Sequence, residues 1–185
     1  LHLCDQHLSH MQADKINSKD NLLLEVCLAA KYEGESLVEK HKEFKKTHND
    51  SNICTILARS FADIGDIVRG KDLFYGNTQE SKQREQLDEN LKRIFGKKHD
   101  EATKTNGEAA KKHYEDATGN FFKLREDWWA LNRRDVWKAI TCKAERDDKY
   151  FREKTSEGND CSVEKCKCLN GDPPTNLDYV PQYLR

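Results

Sequence analysis

The stretch "FFKLREDWWALNRRDVWKAITC" (Phe121 to Cys142) holds all three tryptophans of the chain, and no other segment restricts the fold as much. Phe121, Leu124, Trp128 and Leu131 follow one another at intervals of three, four and three residues. A helix places them on one face, and Val136 and Ile140 carry the apolar pattern on. Trp129 lies about 100° from Trp128 and flanks that stripe, while Trp137 lies about 180° around a straight helix from Trp128. A helix with tryptophan on opposite faces needs cover on both sides. This predicts a central helix in a bundle of long helices, with Trp128 and Trp137 in the core and Asn120 as the N-cap. Arg133 and Arg134 would then snorkel or pair with Asp127 and Asp135.

The remaining segments read as helices too. In "ICTILARSFADIGDIV", Ile53, Ile56/Leu57, Phe61, Ile64 and Ile67/Val68 step by three and four, with Phe61 and Ile64 in the core, and Arg69-Gly70 as the stop. "THNDSN" is a loop that ends in the cap of that helix. Upstream, Leu24, Leu28, Leu37/Val38 and Phe44 form a stripe, with Val26 and Cys27 at its edges, Asp20 or Asn21 as cap, and a bend at Gly34. Gln79 to Phe95 carries Leu87, Leu91 and Ile94/Phe95, with Gly96 as C-cap. "KDLFYGNT" is a loop exposing Phe74 and Tyr75. Glu101 to Tyr114 is so polar that it reads as a weak helix or a loop. After Cys142 the periodicity is lost, and "GDPPTN" is turn chemistry. No strand pattern or internal repeat stands out.

Charged residues make up 35% of the chain and apolar ones 36%, with mean hydropathy -0.98. Low hydrophobicity signals disorder when it goes with high net charge, yet 32 Lys+Arg nearly cancel 33 Asp+Glu. The fold class is therefore mostly α: a bundle of long helices with solvated faces and disulfide-rich loops. The near-neutral balance argues against a nucleic-acid binder. The longest apolar run, "LLLEVCLAA", is too short for a membrane span and is broken by Glu25. The start at Leu1 and the aromatic end "YVPQYLR" read as those of a piece of a longer protein.

Seven cysteines (Cys4, Cys27, Cys54, Cys142, Cys161, Cys166 and Cys168) raise zinc or disulfides. There is no CxxC and no His after His113, which disfavours zinc. Disulfides fit, and the odd number leaves one thiol single or paired outside the segment.

Catalytic patterns are missing: no GxSxG, P-loop, HExxH or GxGxxG occurs. The grouped His2, His7 and His10, the pair His41 and His48, and the acidic pairs Asp63/Asp66 and Asp147/Asp148 read as ordinary solvated residues. No cofactor or metal is implied. Short basic clusters remain: Lys42, Lys45 and Lys46; Lys92, Arg93, Lys97 and Lys98; Lys111 and Lys112; and Arg133, Arg134 and Lys138. Each is commonly a solvated helix face. Together they are candidates for a sulfated glycan, whose dense charge they would match.

"ARSFADIGDIVRGKDLF", "LREDWWALNRRDVWKAITC" and "YVPQYLR", in that order, closely resemble the alpha class of Duffy-binding-like domains in the erythrocyte membrane protein 1 family, the variant surface adhesins of malaria parasites. "NLLLEVCLAAKYEGESL" is similar to that family's upstream helix. The resemblance covers essentially the whole chain. It implies a cysteine-rich, mostly helical, non-enzymatic adhesion domain near the N-terminus of a large protein on the infected red-cell surface. Host receptor proteins and sulfated or blood-group glycans would be its partners in cytoadhesion or rosetting. Neighbouring domains of the same adhesin and antibodies that drive antigenic variation would also meet it. Residues 1–185 would be part of such a domain, its first part and middle, with the third subdomain absent. A scaffold module displaying variable loops, with a neighbouring domain binding the receptor, is the alternative.

Overall fold

The structure, a computed structural model, describes residues 19–48, 51–72, 78–152, 154, 158, 161 and 164–185. Cys4, Phe74, Tyr75 and the first three histidines lie outside the described residues. Four α-helices lead the architecture: α1 (Lys19–Lys45), α2 (Ile53–Arg69), α3 (Thr78–His113) and α4 (Phe122–Ile140). Two short 3-10 turns, Leu177–Tyr179 and Gln182–Leu184, follow. No strand is assigned among the described residues; the cysteine-rich loop carries the disulfide Cys161–Cys168 and is tied to α2 by Cys54–Cys166.

Helix α2 is the innermost element. Its step-three, step-four stripe is buried, and so are Ser60, Asp66 and Arg69 on its other faces. Asn52 caps its start by accepting from Thr55 N at 3.2 Å. Gly70, at φ 71°, closes its end with an N–H to the Ile67 carbonyl. There, an added Cβ would meet the Arg125 guanidinium at 2.8 Å, so both the turn and the packing require glycine.

Helix α1 runs antiparallel to α2. Ser60 donates to Glu33 at 2.9 Å, and His41 Nε2 meets Ser51 Oγ at 2.9 Å. Its buried face differs from the expected stripe. Leu22, Val26, Ala29, Ala30, Val38 and His41 are buried, whereas Leu24 and Phe44 are exposed. Small residues set this choice, because α1 lies close against α4: a Cβ on Gly34 would overlap the Ile140 carbonyl. Gly34 is thus a site of close approach rather than a bend. Asp20 and Asn21 lie inside α1 and do not precede it.

Helix α3 lies along the first half of α4, with Leu87, Leu91, Ile94 and Phe95 buried. Gly96 is not a C-cap; the helix continues through the polar stretch to His113, with a non-helical turn at Gly107. That turn brings Tyr114 back onto Asp127, to which its hydroxyl donates at 3.0 Å.

In α4, Trp128, Trp129, Val136, Trp137 and Ile140 are buried, and Leu131 is 76% exposed. At about 100° per residue, Trp128 and Trp137 mark the two edges of a buried half, and Trp129 lies between them. The expected stripe therefore followed the edge of the core, and Leu131 fell beyond it. Trp128 meets Phe95 of α3 edge-on at 6.1 Å, and Trp137 meets Phe61 of α2 at 5.1 Å. Two different helices thus cover the two tryptophans. Asn120 does not cap α4. Phe121 takes that position at φ 55°, and its N–H donates to Asp116 at 2.5 Å.

Candidate binding surface

The tryptophan helix turns Arg125 inward and half-buries Arg133, while Lys123, Arg134 and Lys138 are exposed. Arg125 is fully buried. It donates to the Val68 and Ile67 carbonyls, which cap the end of α2, and pairs with Asp88 at 3.0 Å. Burial pushes its pKa down and Asp88 opposes that. Arg133 pairs with Asp178 at 2.7 Å, and Arg134 with Asp172 at 3.5 Å. Neither takes the nearby partner expected from the sequence. Their acids come from the loop after Cys168, which no local spacing reveals. Lys138 does pair with Asp135, at 3.0 Å.

Asp63 and Asp66 are ion-paired and do not lie on an open solvated face: Asp66 is buried and Asp63 half-buried. Asp66 is buried and holds Arg69 at 3.0 Å and Arg185 at 2.5 Å; Asp63 holds Arg185 at 2.9 Å. Burial raises the pKa of both carboxyls, and Arg185 works against it. Arg69 also donates to the Asp178 carbonyl and lies over the Tyr179 ring at 5.3 Å. "YVPQYLR" is thereby tied to α2 by two arginines that cross between the segments. A cleft of about 290 Å³ remains between them, lined by Arg69, Lys71, Tyr179 and Tyr183.

The expected glycan ligands lie in separate places. Lys42 pairs with Glu145 beyond the end of α4, at 3.1 Å, and Lys46 pairs with Glu43 at 2.8 Å, with Lys45 exposed beside them. Lys92 pairs with Asp88 at 2.9 Å, and Arg93 donates to Asn90. Lys97 is exposed and Lys98 half-buried, next to His99, which packs on Phe121 at the start of α4. Lys111 and Lys112 are exposed and precede His113, which approaches Asp127 near the same end. The α3 clusters therefore gather around one end of α4 and the α1 cluster lies at the other, about 28 Å apart at 1.5 Å per residue. Several of these cations already have a carboxylate partner, which reduces the local field.

Of the cysteine candidates, Cys54, Cys161, Cys166 and Cys168 form the two disulfides, while Cys27 and Cys142 are half-buried thiols. Burial, with Asp135 second, pushes the Cys27 thiol up to about 11. No group of three potential metal ligands converges among the described residues. No described helix is long and apolar enough to cross a membrane. One basic feature was missed in the sequence. Lys165 and Lys167 alternate with cysteines in "EKCKC", and they line an open groove with Arg146 and Lys149.

The fold defines a class: a helical domain stapled by disulfides, with Arg69 and Arg125 buried in ion pairs. The Duffy binding domain model matches residues 1–185, and the chain belongs to that family. It is similar to the NTS-DBL1(alpha-1) domain of Plasmodium falciparum membrane protein 1 (PfEMP1) from the varO strain, with 44% identity and TM-score 0.80. That match covers 99% of this chain and 40% of that one. It is similar as well to the PfEMP1 IT4var13 DBLβ domain bound to ICAM-1, with 29% identity and TM-score 0.70, over 99% of this chain and 40% of that one. A further DBLβ domain of PfEMP1, bound to human ICAM-1, matches at 30% identity and TM-score 0.60, over 96% of this chain and 32% of that one. No curated protein sequence matches.

Proposed function

We propose that this chain forms the first and middle parts of an adhesion domain displayed on the outer face of infected erythrocytes, where it contributes to binding host receptors. Its receptor would be a red-cell or endothelial protein or a heparan-sulfate-like glycan, in cytoadhesion or rosetting, with surface variation serving antigenic change. The observation that carries this reading is the likeness, over 99% of the chain, to a DBLβ domain bound to ICAM-1. Partition of charge supports it. The inward arginines hold the fold, which leaves the exposed lysine faces free to vary without loss of stability. The test is binding of the purified chain to arrayed host receptor ectodomains and glycans. Saturable binding that falls steeply with salt is expected, and no binding to any receptor or glycan overturns the reading.

A scaffold role is favoured by one observation: Trp128, Trp129, Trp137 and Arg125, the most distinctive residues, are all buried. If a two-domain protein binds receptor and this chain alone does not, the scaffold reading replaces the first.

A further inference from the structure

Residues 177–185 turn their charges inward and their rings outward. Asp178 and the Arg185 side chain are buried, whereas Tyr179, Tyr183 and Leu184 are exposed. A surface segment ordinarily does the reverse. Both of its ends are fixed. Asp178 is held to α4 by Trp129 and Arg133, and Arg185 to α2 by Asp63 and Asp66. Between them the backbone makes two 3-10 turns, with Pro181 leading the second. The Tyr179 ring is approached by two guanidinium groups, Arg69 at 5.3 Å and Arg133 at 5.2 Å. The cleft of about 290 Å³ that Tyr179, Pro181 and Tyr183 line is therefore preformed.

Charges around this cleft are already matched. The Asp66 carboxylate takes Arg69 and Arg185, the Asp178 carboxylate takes Trp129 and Arg133, and Lys71 pairs with Glu126. Main-chain acceptors are engaged too. The carbonyls of Asp178, Val180 and Pro181 accept from Arg69, Arg185 Nε and Leu184 N. Among the side chains that line the cleft, the phenol hydroxyls of Tyr179 and Tyr183 remain, neither bonded to a described residue. Burial raises the pKa of Tyr179 by more than Arg133 lowers it, so its hydroxyl keeps the proton and can donate. The cleft thus offers aromatic surface and hydrogen-bond donors, with no free charge and no free carbonyl or carboxylate.

We infer that this cleft is a binding site for a proline-rich protein segment. A prolyl residue brings an apolar ring and a carbonyl acceptor, and has no N–H that would need an acceptor in return. Its polyproline II helix makes no internal hydrogen bonds, so those carbonyls are available to the two phenols. Other ligand classes fit poorly. Sugar hydroxyls would find the carboxylates and carbonyls taken, an anion would find each cation paired, and a cation would find each carboxylate paired. The volume lies at the lower edge of ligand pockets, about 300–1,000 Å³, which suits one or two rings of a chain that continues over Tyr183. The inference goes beyond the adhesion reading and does not rest on it.

The test is fluorescence anisotropy of a labelled decaproline peptide titrated with the chain, in parallel with a labelled Gly-Ser decapeptide. Saturable binding of decaproline is expected, with the Gly-Ser peptide at least about tenfold weaker. Tyr183→Ala should raise Kd about tenfold with the melting temperature unchanged, because that ring is 77% exposed. Tyr183→Phe keeps the ring, deletes the donor and should raise Kd about threefold. Leu169→Ala, at a comparably exposed apolar residue on the cysteine-rich loop, should leave Kd unchanged. Absence of saturable binding, equal binding of the two peptides, or an unchanged Kd in Tyr183→Phe overturns the ligand class. A Kd unchanged in Tyr183→Ala, or raised as much by Leu169→Ala, overturns the site. A dimer in analytical ultracentrifugation that Tyr183→Ala dissociates, with no decaproline bound, assigns the cleft to a second copy of the chain and overturns the inference.

Discussion

Trp129 Nε1 donates to Asp178 Oδ2 at 2.8 Å, across 49 residues of sequence, with both side chains buried. The same carboxylate pairs with Arg133. One acid therefore closes the tryptophan helix onto the C-terminal segment. Removing it would leave an indole N–H and a guanidinium without their partner in the core. Asp178→Ala should lower stability by about 3–5 kcal/mol, read from urea unfolding. A loss under about 1 kcal/mol would mean that water replaces the carboxylate.

Two adjacent tryptophans should respond differently to the same change. Trp129→Phe deletes the donor to Asp178 and should cost about 1–3 kcal/mol beyond its loss of ring contacts. Trp128 Nε1 is buried with no hydrogen-bond partner among the described residues, so Trp128→Phe should cost clearly less. Trp128→Ala should still cost about 3–5 kcal/mol, because Phe95 would lose its edge contact. Equal costs for the two Phe variants would refute the assignment.

Gly34 and Gly96 give opposite signs. Ala in place of Gly favours a helix by about 1 kcal/mol. At Gly96 the added methyl would meet the Phe121 ring at 3.4 Å, an ordinary contact, so Gly96→Ala should raise the melting temperature. At Gly34 it would strike the Ile140 carbonyl, so α1 and α4 would have to separate, and Gly34→Ala should destabilise. Stabilisation at Gly34 would show that the two helices are not in close approach.

Asp116 gives a pH signature. Hydrogen bonds from the Thr118 side chain and N–H, and from Phe121 N, hold its carboxyl below the ordinary value. A depressed folded pKa means a stabilisation present above the unfolded carboxylate pKa and lost as pH falls through the folded one. Asp116→Ala should therefore lower stability modestly at neutral pH, with the gap to the parent chain closing in acid. A pH-independent gap would assign the loss to packing alone.

In mildly alkaline buffer the thiol of Cys27, raised to about 11, is almost wholly protonated, and the thiolate is the reactive form. Alkylation followed by peptide mass mapping should label Cys27 slowly in the native chain and rapidly in urea. Rapid native labelling would place the thiol in solvent.

Where large side chains decided the packing, the sequence was readable. The α2 stripe from Ile53 to Val68 appears as spaced, and Trp128 and Trp137 are covered by different helices. Where small or polar groups decided it, the reading failed. Ala29, Ala30 and Gly34 have little hydrophobic weight, yet they let α1 approach α4, and this turned Leu24 and Phe44 outward. Leu131 sat past the edge of an arc whose centre is Trp129. Long-range acids were hidden altogether, because nothing in "NRRD" announces that Asp172 and Asp178 answer Arg134 and Arg133. The groove cations Lys165 and Lys167 were masked by their cysteine neighbours, whose spacing signals staples and not a frame for charge.

On the function proposed above, buried residues of the tryptophan helix maintain the fold while exposed charge meets the receptor. The direct measurement is binding of the chain to receptor-bearing red cells and endothelial cells, with melting temperature recorded for each variant. Exposed lysine substitutions, at Lys97, Lys111 or Lys112, should reduce binding with the melt unchanged, while Trp128→Ala should lose binding only together with the fold. Binding that falls in a folded Trp128 variant and persists in every lysine variant would contradict the account.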